Sequence, residues 1–148
     1  MLAIALVLAA AASAAATRVV AWHLLARGVA TKNDGAATIG ILAPSKAAAQ
    51  RLVLRVPAQA AQTVLRLNYR RQVALGIFGQ FGCRDARVRI AGIEQTSTLL
   101  RVRLQLRRLA AGTVECLAIY PTFRLVEIAR SDLGPRLPTR VAVSLARA

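Results

Sequence analysis

One histidine, two cysteines and six carboxylate side chains are all that this 148-residue chain offers to acid–base, redox or metal chemistry. With His23 alone and no Cys-x-x-Cys pair, the sequence has no ligand set of zinc-site spacing. The acidic residues Asp34, Asp85, Glu94, Glu115, Glu127 and Asp132 are scattered, with no paired-carboxylate motif, and each is expected to pair with an arginine. A small secreted hydrolase would have to draw its triad from His23, Ser131 and Asp132, and no nucleophile elbow surrounds that serine. The glycines at 76, 79 and 82 lack the lysine of a P-loop. No catalytic, cofactor-binding or metal-binding residue is therefore expected, and the chain reads as a non-enzyme.

Charge is also missing from the start, since nothing charged precedes Arg18. Residues 2–12 form an apolar run of secretory length, and Ala12-Ser13-Ala14 or Ala14-Ala15-Ala16 supplies the small residues of a cleavage site. The run is too short to span a bilayer, and no later run approaches that length. The reading is an export signal over 1–16 and a single domain over 17–148, soluble or peripherally bound outside the cytoplasm. A buried N-terminal helix is the competing interpretation. In an exported domain, the isolated, even pair Cys83 and Cys116 reads as one disulfide, with two free thiols as the alternative. It would close a loop of about 34 residues and contribute about 3 to 4 kcal/mol.

Against the six acids stand 21 basic side chains, giving a formal charge of +15, all of it in the expected mature part. Such a field favours polyanions. Export sets nucleic acid aside and leaves anionic lipid, wall polymer or an acidic protein as partners. Nearly all the cations are arginine, Lys32 and Lys46 being the exceptions. A GC-rich coding bias at tolerant surface positions would also produce that choice.

The chain is expected to be mainly β within an α+β class: an antiparallel sheet, sandwich or partly open barrel with one short helix. A first strand is expected over 19–28, a turn over 31–35 and a short strand over 38–42. A helix follows over 46–54, with Ser45 as its N-cap and Pro57 as its stop. Residues 58–68 mix helix-favouring Ala and Gln with strand-favouring Val64, Leu65 and Leu67, and read as a connector. Residues 73–78 are an apolar run bounded by polar residues and Gly79, the mark of a central strand.

Two runs then alternate strictly, 87–90 and 100–107, with Gln95-Thr96-Ser97-Thr98 between them as the loop of a hairpin. A period of two puts Val88, Ile90, Val102, Leu104 and Leu106 on one face and Arg87, Arg89, Arg101, Arg103 and Arg107 on the other. Ala110-Ala111-Gly112 turns the chain into a stretch over 115–119. Strands over 122–129 and 137–145 complete it.

Four features in order carry a family likeness: Trp22-x-x-Leu25-x-x-Gly28, the strand closing on Gly79, the alternating hairpin, and Tyr120-Pro121-Thr122-Phe123-Arg124-Leu125-Val126-Glu127-Ile128. Together they resemble the PrcB C-terminal-domain family, small secreted or lipid-anchored β-rich domains named after a subunit of a bacterial protease complex. The resemblance covers most of the expected mature chain. It implies association with another protein, such as a protease-complex component. Relatives follow the apolar strand with Gly-x-x-Pro-Thr-Gly-Gly-Tyr, where this chain has Gly79-Gln80-Phe81-Gly82-Cys83-Arg84-Asp85-Ala86. The disulfide would then brace a loop that lacks the family's glycine turn.

Three surfaces qualify for binding. Phe81, beside the disulfide, is either an exposed contact anchor or a cover for the sheet end. The arginines Arg87, Arg89, Arg101, Arg103 and Arg107 form either an anion-binding face or a merely solvated one. Tyr120 to Phe123 reads as core. The expected function is an exported, non-catalytic binding or accessory module for a protein partner, with an envelope-polyanion binder as the alternative.

Overall fold

The computed structural model describes residues 15–148. The expected export signal over 1–16 falls almost wholly outside them. In chain order the elements are β1 (Thr17–Val19), β2 (His23–Val29), β3 (Ile39–Ala43), α1 (Lys46–Val53), α2 (Ala58–Leu65), β4 (Gln72–Gly79), β5 (Val88–Thr96), β6 (Leu99–Leu106), β7 (Thr122–Ala129) and β8 (Arg140–Arg147). Tight 3-10 turns occupy Gly82–Arg87 and Arg130–Asp132. The strands make two four-stranded sheets, an outer one in the order β1-β5-β6-β8 and a central one in the order β2-β7-β4-β3. All pairings are antiparallel except β6 with β8. The expected α+β class therefore takes its sandwich form.

Three layers explain the burial pattern. Val73, Leu75 and Ile77 of β4 and Val126 and Ile128 of β7 meet Val88, Ile93, Leu100, Val102 and Leu104 of the outer sheet in one apolar layer. The opposite face of the central sheet presents Ala74, Phe78, Phe123 and Leu125 to Ala49 and Leu52 of α1 and to Ala60, Ala61 and Val64 of α2. Strands covered on both sides need side chains that are apolar in both directions. That is why β4 reads as a continuous run while β6 alternates. Among the described residues no helix covers the outer sheet, and its second face meets solvent.

Several elements differ from the sequence expectation. The single strand over 19–28 is two strands in different sheets. Val20, 2% exposed, still donates to the Ile93 carbonyl at 2.9 Å, and beyond it the chain crosses to the central sheet, where His23 stands opposite Glu127. A corner between two packed sheets keeps the same apolar pattern as one long strand, so the pattern alone does not reveal the crossing. Among the described residues there are two α-helices, not one. Ser45 caps the first as expected, its Oγ accepting from the Ala48 N–H at 3.1 Å. The connector is α2, because Ala60, Ala61 and Val64 fall on one helical face and bury against the central sheet. Pro57 thus precedes a helix as well as following one.

The hairpin is present but longer, with β5 running to Thr96 and a tight turn at Ser97, whose φ is 54°. Gln95, expected in the loop, is a buried strand residue. Its Nε2 donates to the carbonyls of Ser97 and Arg136, and its Oε1 accepts from the Gly134 N–H. A bulge between Ile90 and Gly92 shifts the alternation, so Ile93 and Gln95 point inward and Glu94 outward. Residues 115–119 lie outside both sheets.

Among the described residues, Arg124 is the charged side chain buried between the sheets. Arg124 is 3% exposed; its Nη1 donates to Asp85 Oδ1 at 2.7 Å, and its Nη2 to the carbonyls of Asp85 at 2.9 Å and Val88 at 2.8 Å. The arrangement satisfies a guanidinium that would otherwise be desolvated without compensation.

Asp85→Ala is expected to destabilise the fold by about 3 kcal/mol, the lower end for stripping one partner from a buried pair. Urea denaturation measures it, and Asp85→Ala combined with Arg124→Met should lose less than Asp85→Ala alone. A second expectation concerns Tyr69, whose hydroxyl donates to the Val64 carbonyl at 2.9 Å and whose burial pushes its pKa up to about 12. Its folded-state pKa lies above the unfolded one, so its contribution is complete below pH 10 and is lost as the pH rises through about 12. Unfolding free energy measured across that window should fall less steeply in Tyr69→Phe than in the native protein.

Candidate functional site

The bare face of the outer sheet carries three of the five expected arginines. Arg89, Arg101 and Arg103 are all exposed there, because β6 alternates and β5 keeps its parity up to the bulge. Arg89 Nε donates to Gln105 Oε1 at 2.9 Å, and Arg103 Nη2 lies 2.8 Å from Glu94 Oε1. Arg101 stands opposite Glu94 in the β5–β6 register. β8 extends the face with Arg140, aligned beside Leu99.

The other two arginines belong to the end of that sheet. Arg87 reaches across it, its Nη1 donating to the Arg107 carbonyl at 2.9 Å and its Nη2 to Glu115 Oε1 at 3.0 Å. Around them Arg84, Arg107, Arg108 and Arg147 line a cavity of about 260 Å³, with Glu115 as its one acidic side chain. The sequence reading missed Arg84, Arg108 and Arg147. Arg108 adjoins Arg107 in sequence, but Arg147 arrives only because β8 pairs parallel to β6 and sets it beside Leu106. Guanidinium groups gathered in this way are suited to bidentate binding of phosphate or carboxylate oxygens and supply no general acid or base at neutral pH.

The same end holds the disulfide. Cys83 in the 3-10 turn bonds to Cys116, with their Cα atoms 5.9 Å apart. The segment over 113–121 is fastened further by backbone bonds, from the Gly82 N–H to the Tyr120 carbonyl at 3.0 Å and from the Cys83 N–H to the Ala118 carbonyl at 3.3 Å. Only glycine allows this contact, since Gly82 has a φ of 54° and a Cβ there would stand 2.0 Å from the Ala118 oxygen. Residues 113–120 are nonetheless all exposed. Val114 is 90% exposed, Leu117 82% and Ile119 68%.

Phe81 is not a contact anchor. It is 6% exposed, its ring packs on Gly79, and Arg124 lies over it at 5.6 Å from the centroid. The tight turn that begins at Gly82 swings this side chain into the layer between the sheets, where it closes the end of β4. The exposed aromatic of this corner is instead Tyr120, 37% exposed, which the sequence reading had assigned to the core with Phe123.

His23 Nδ1 lies 3.6 Å from Glu127 Oε1, and Glu127 Oε2 accepts from Gln72 Nε2 at 2.7 Å. The histidine thus faces a carboxylate other than Asp132, and among the described residues no hydrogen bond joins it to Ser131. Four of the six acids pair with arginine as expected: Asp34 with Arg55, Asp85 with Arg124, Glu94 with Arg103 and Glu115 with Arg87. Among the described residues no group of three His, Cys, Asp or Glu side chains is placed to hold a metal ion.

No family model, curated protein or solved structure matches this chain.

Reduction of the disulfide is expected to lower the unfolding free energy by about 3 to 4 kcal/mol. Denaturation with and without reductant measures the loss. Intact mass after alkylation should show two labelled thiols only in the reduced protein.

Proposed function

We propose that the protein is an exported, non-catalytic binding module that engages an anionic surface of the cell envelope through its arginine-rich sheet end and sheet face. The observation that carries this reading is the convergence of Arg84, Arg87, Arg107, Arg108 and Arg147 on one cavity whose one acidic side chain, Glu115, is already paired with Arg87. The whole chain carries a formal charge of +15, so the local cluster sits in a favourable long-range field. Export is supported by the uncharged, apolar start and by a disulfide, which persists in oxidising compartments. No helix among the described residues is long and apolar enough to cross a membrane.

An acidic protein surface is the second reading. It is favoured by the ordered likeness to the PrcB C-terminal-domain family, and it would make the partner a component of a protease complex.

Retention on immobilised anionic polymer and on anionic vesicles should fall as sodium chloride rises from about 0.05 to about 0.5 M. Replacing Arg84, Arg107 and Arg108 by Gln together should weaken vesicle binding about 100-fold. Retention indifferent to salt and to these changes overturns the proposal. Affinity capture from envelope extract that returns an acidic protein through the same arginines would favour the second reading.

A further inference from the structure

We infer that residues 113–120 form a membrane-docking loop, inserting Val114, Leu117 and Ile119 into the interface of an anionic bilayer while the neighbouring arginines hold lipid phosphates. This rests on the anion-binding reading above and narrows the anion to a lipid headgroup.

The first ground is exposure. Val114, Leu117, Ile119 and Tyr120 place four large apolar side chains within seven residues, all left in solvent. Scattered surface hydrophobes need no explanation, but a cluster on one projecting segment marks a contact surface. The second ground is restraint. Cys116 is held to Cys83, Glu115 to Arg87, and the carbonyls of Ala118 and Tyr120 to the turn at 82–83. Alternate carbonyls pointing to the same neighbour describe an extended chain over 118–120. The third ground is the surrounding charge. Arg84, Arg107, Arg108 and Arg147 line the cavity beside Glu115 of the same loop.

An aliphatic projection with cations gathered beside it matches the two forces that bind peripheral proteins to membranes, burial of apolar groups at the headgroup level and attraction to anionic lipid. Arginine stems can also lie along the acyl boundary while their heads remain among the phosphates. A wall polymer or a soluble anion would use the arginines and leave the aliphatic side chains in water.

The test uses vesicles of phosphatidylglycerol and phosphatidylcholine with brominated acyl chains, and dextran sulfate resin as an anion without an apolar phase. In a Trp22→Phe background, Leu117→Trp should show blue-shifted, bromine-quenched emission on anionic vesicles. The triple change Val114→Ser, Leu117→Ser and Ile119→Ser should weaken vesicle binding about tenfold or more and leave retention on dextran sulfate unchanged. Its intact disulfide and unaltered melting temperature would show that the fold is retained. An unquenched tryptophan at 117, or vesicle binding unaffected by the triple change, overturns the insertion while leaving the anion-binding reading in place. Binding to dextran sulfate without binding to vesicles also overturns it. Failure of the unaltered protein to bind either material at low salt removes the anion-binding reading itself.

Discussion

The guanidinium of Arg124 lies between two sheets, where apolar packing alone would not specify how the chain passes from one sheet to the other. A charge buried to this depth is tolerated only when its donors are met, and the acceptors here are the Asp85 carboxylate and the carbonyls of Asp85 and Val88. Those three atoms all belong to the passage from β4 to β5. Satisfying Arg124 therefore holds the turn over Gly82–Arg87 beside the end of β7 that carries it. Phe81 follows inward under the guanidinium, while Cys83, Arg84 and Arg87 are left at the rim. The position of the disulfide and of two of the clustered arginines is thus a consequence of one buried ion pair.

Charge distribution follows from a similar competition. With 21 basic and six acidic side chains, at least 15 cations have no carboxylate of their own in the chain, since 21 − 6 = 15. Four of the acids are taken by Arg55, Arg87, Arg103 and Arg124. Of the cations without a carboxylate partner, Arg89, Arg101 and Arg140 stand on the uncovered face of the outer sheet and Arg84, Arg107, Arg108 and Arg147 at its end, while Lys46, Arg51, Arg66, Arg70 and Arg71 lie on or beside the helices. Exposed ion pairs contribute little to stability. The arginines left over are correspondingly free to meet an external anion at little cost to the fold.

Legibility in the sequence tracks how local each determinant is. The apolar run of β4, the alternation of β6 and the Ser45 cap depend on neighbours within a few residues, and each is recognisable from the chain alone. The exchange of sheets after Val20, the bulge beyond Ile90 and the inward turn of Phe81 depend on packing against elements far away in sequence. Residues 58–65 stood between the two cases. The spacing of Ala60, Ala61 and Val64 and the preceding proline were helix signals, and the β-branched and leucine residues beside them masked both. The arginine cavity was the least legible, because Arg84 and Arg147 are brought together only through the parallel pairing of β8 with β6 and the turn set by Arg124.

A loop that keeps its apolar side chains in solvent cannot use those side chains to hold itself in place. In most exposed segments, burial of one or two such residues fixes the conformation, and the surface that results is polar. Over 113–120 the hydrophobic contribution is withheld, and the anchoring falls to other interactions: a covalent bond at Cys116, an ion pair at Glu115 and two backbone bonds to the turn at 82–83. Gly82 belongs to the same set, since any side chain there would displace the Ala118 carbonyl. A brace of this kind has a physical reason wherever the braced surface is reserved for a contact outside the molecule.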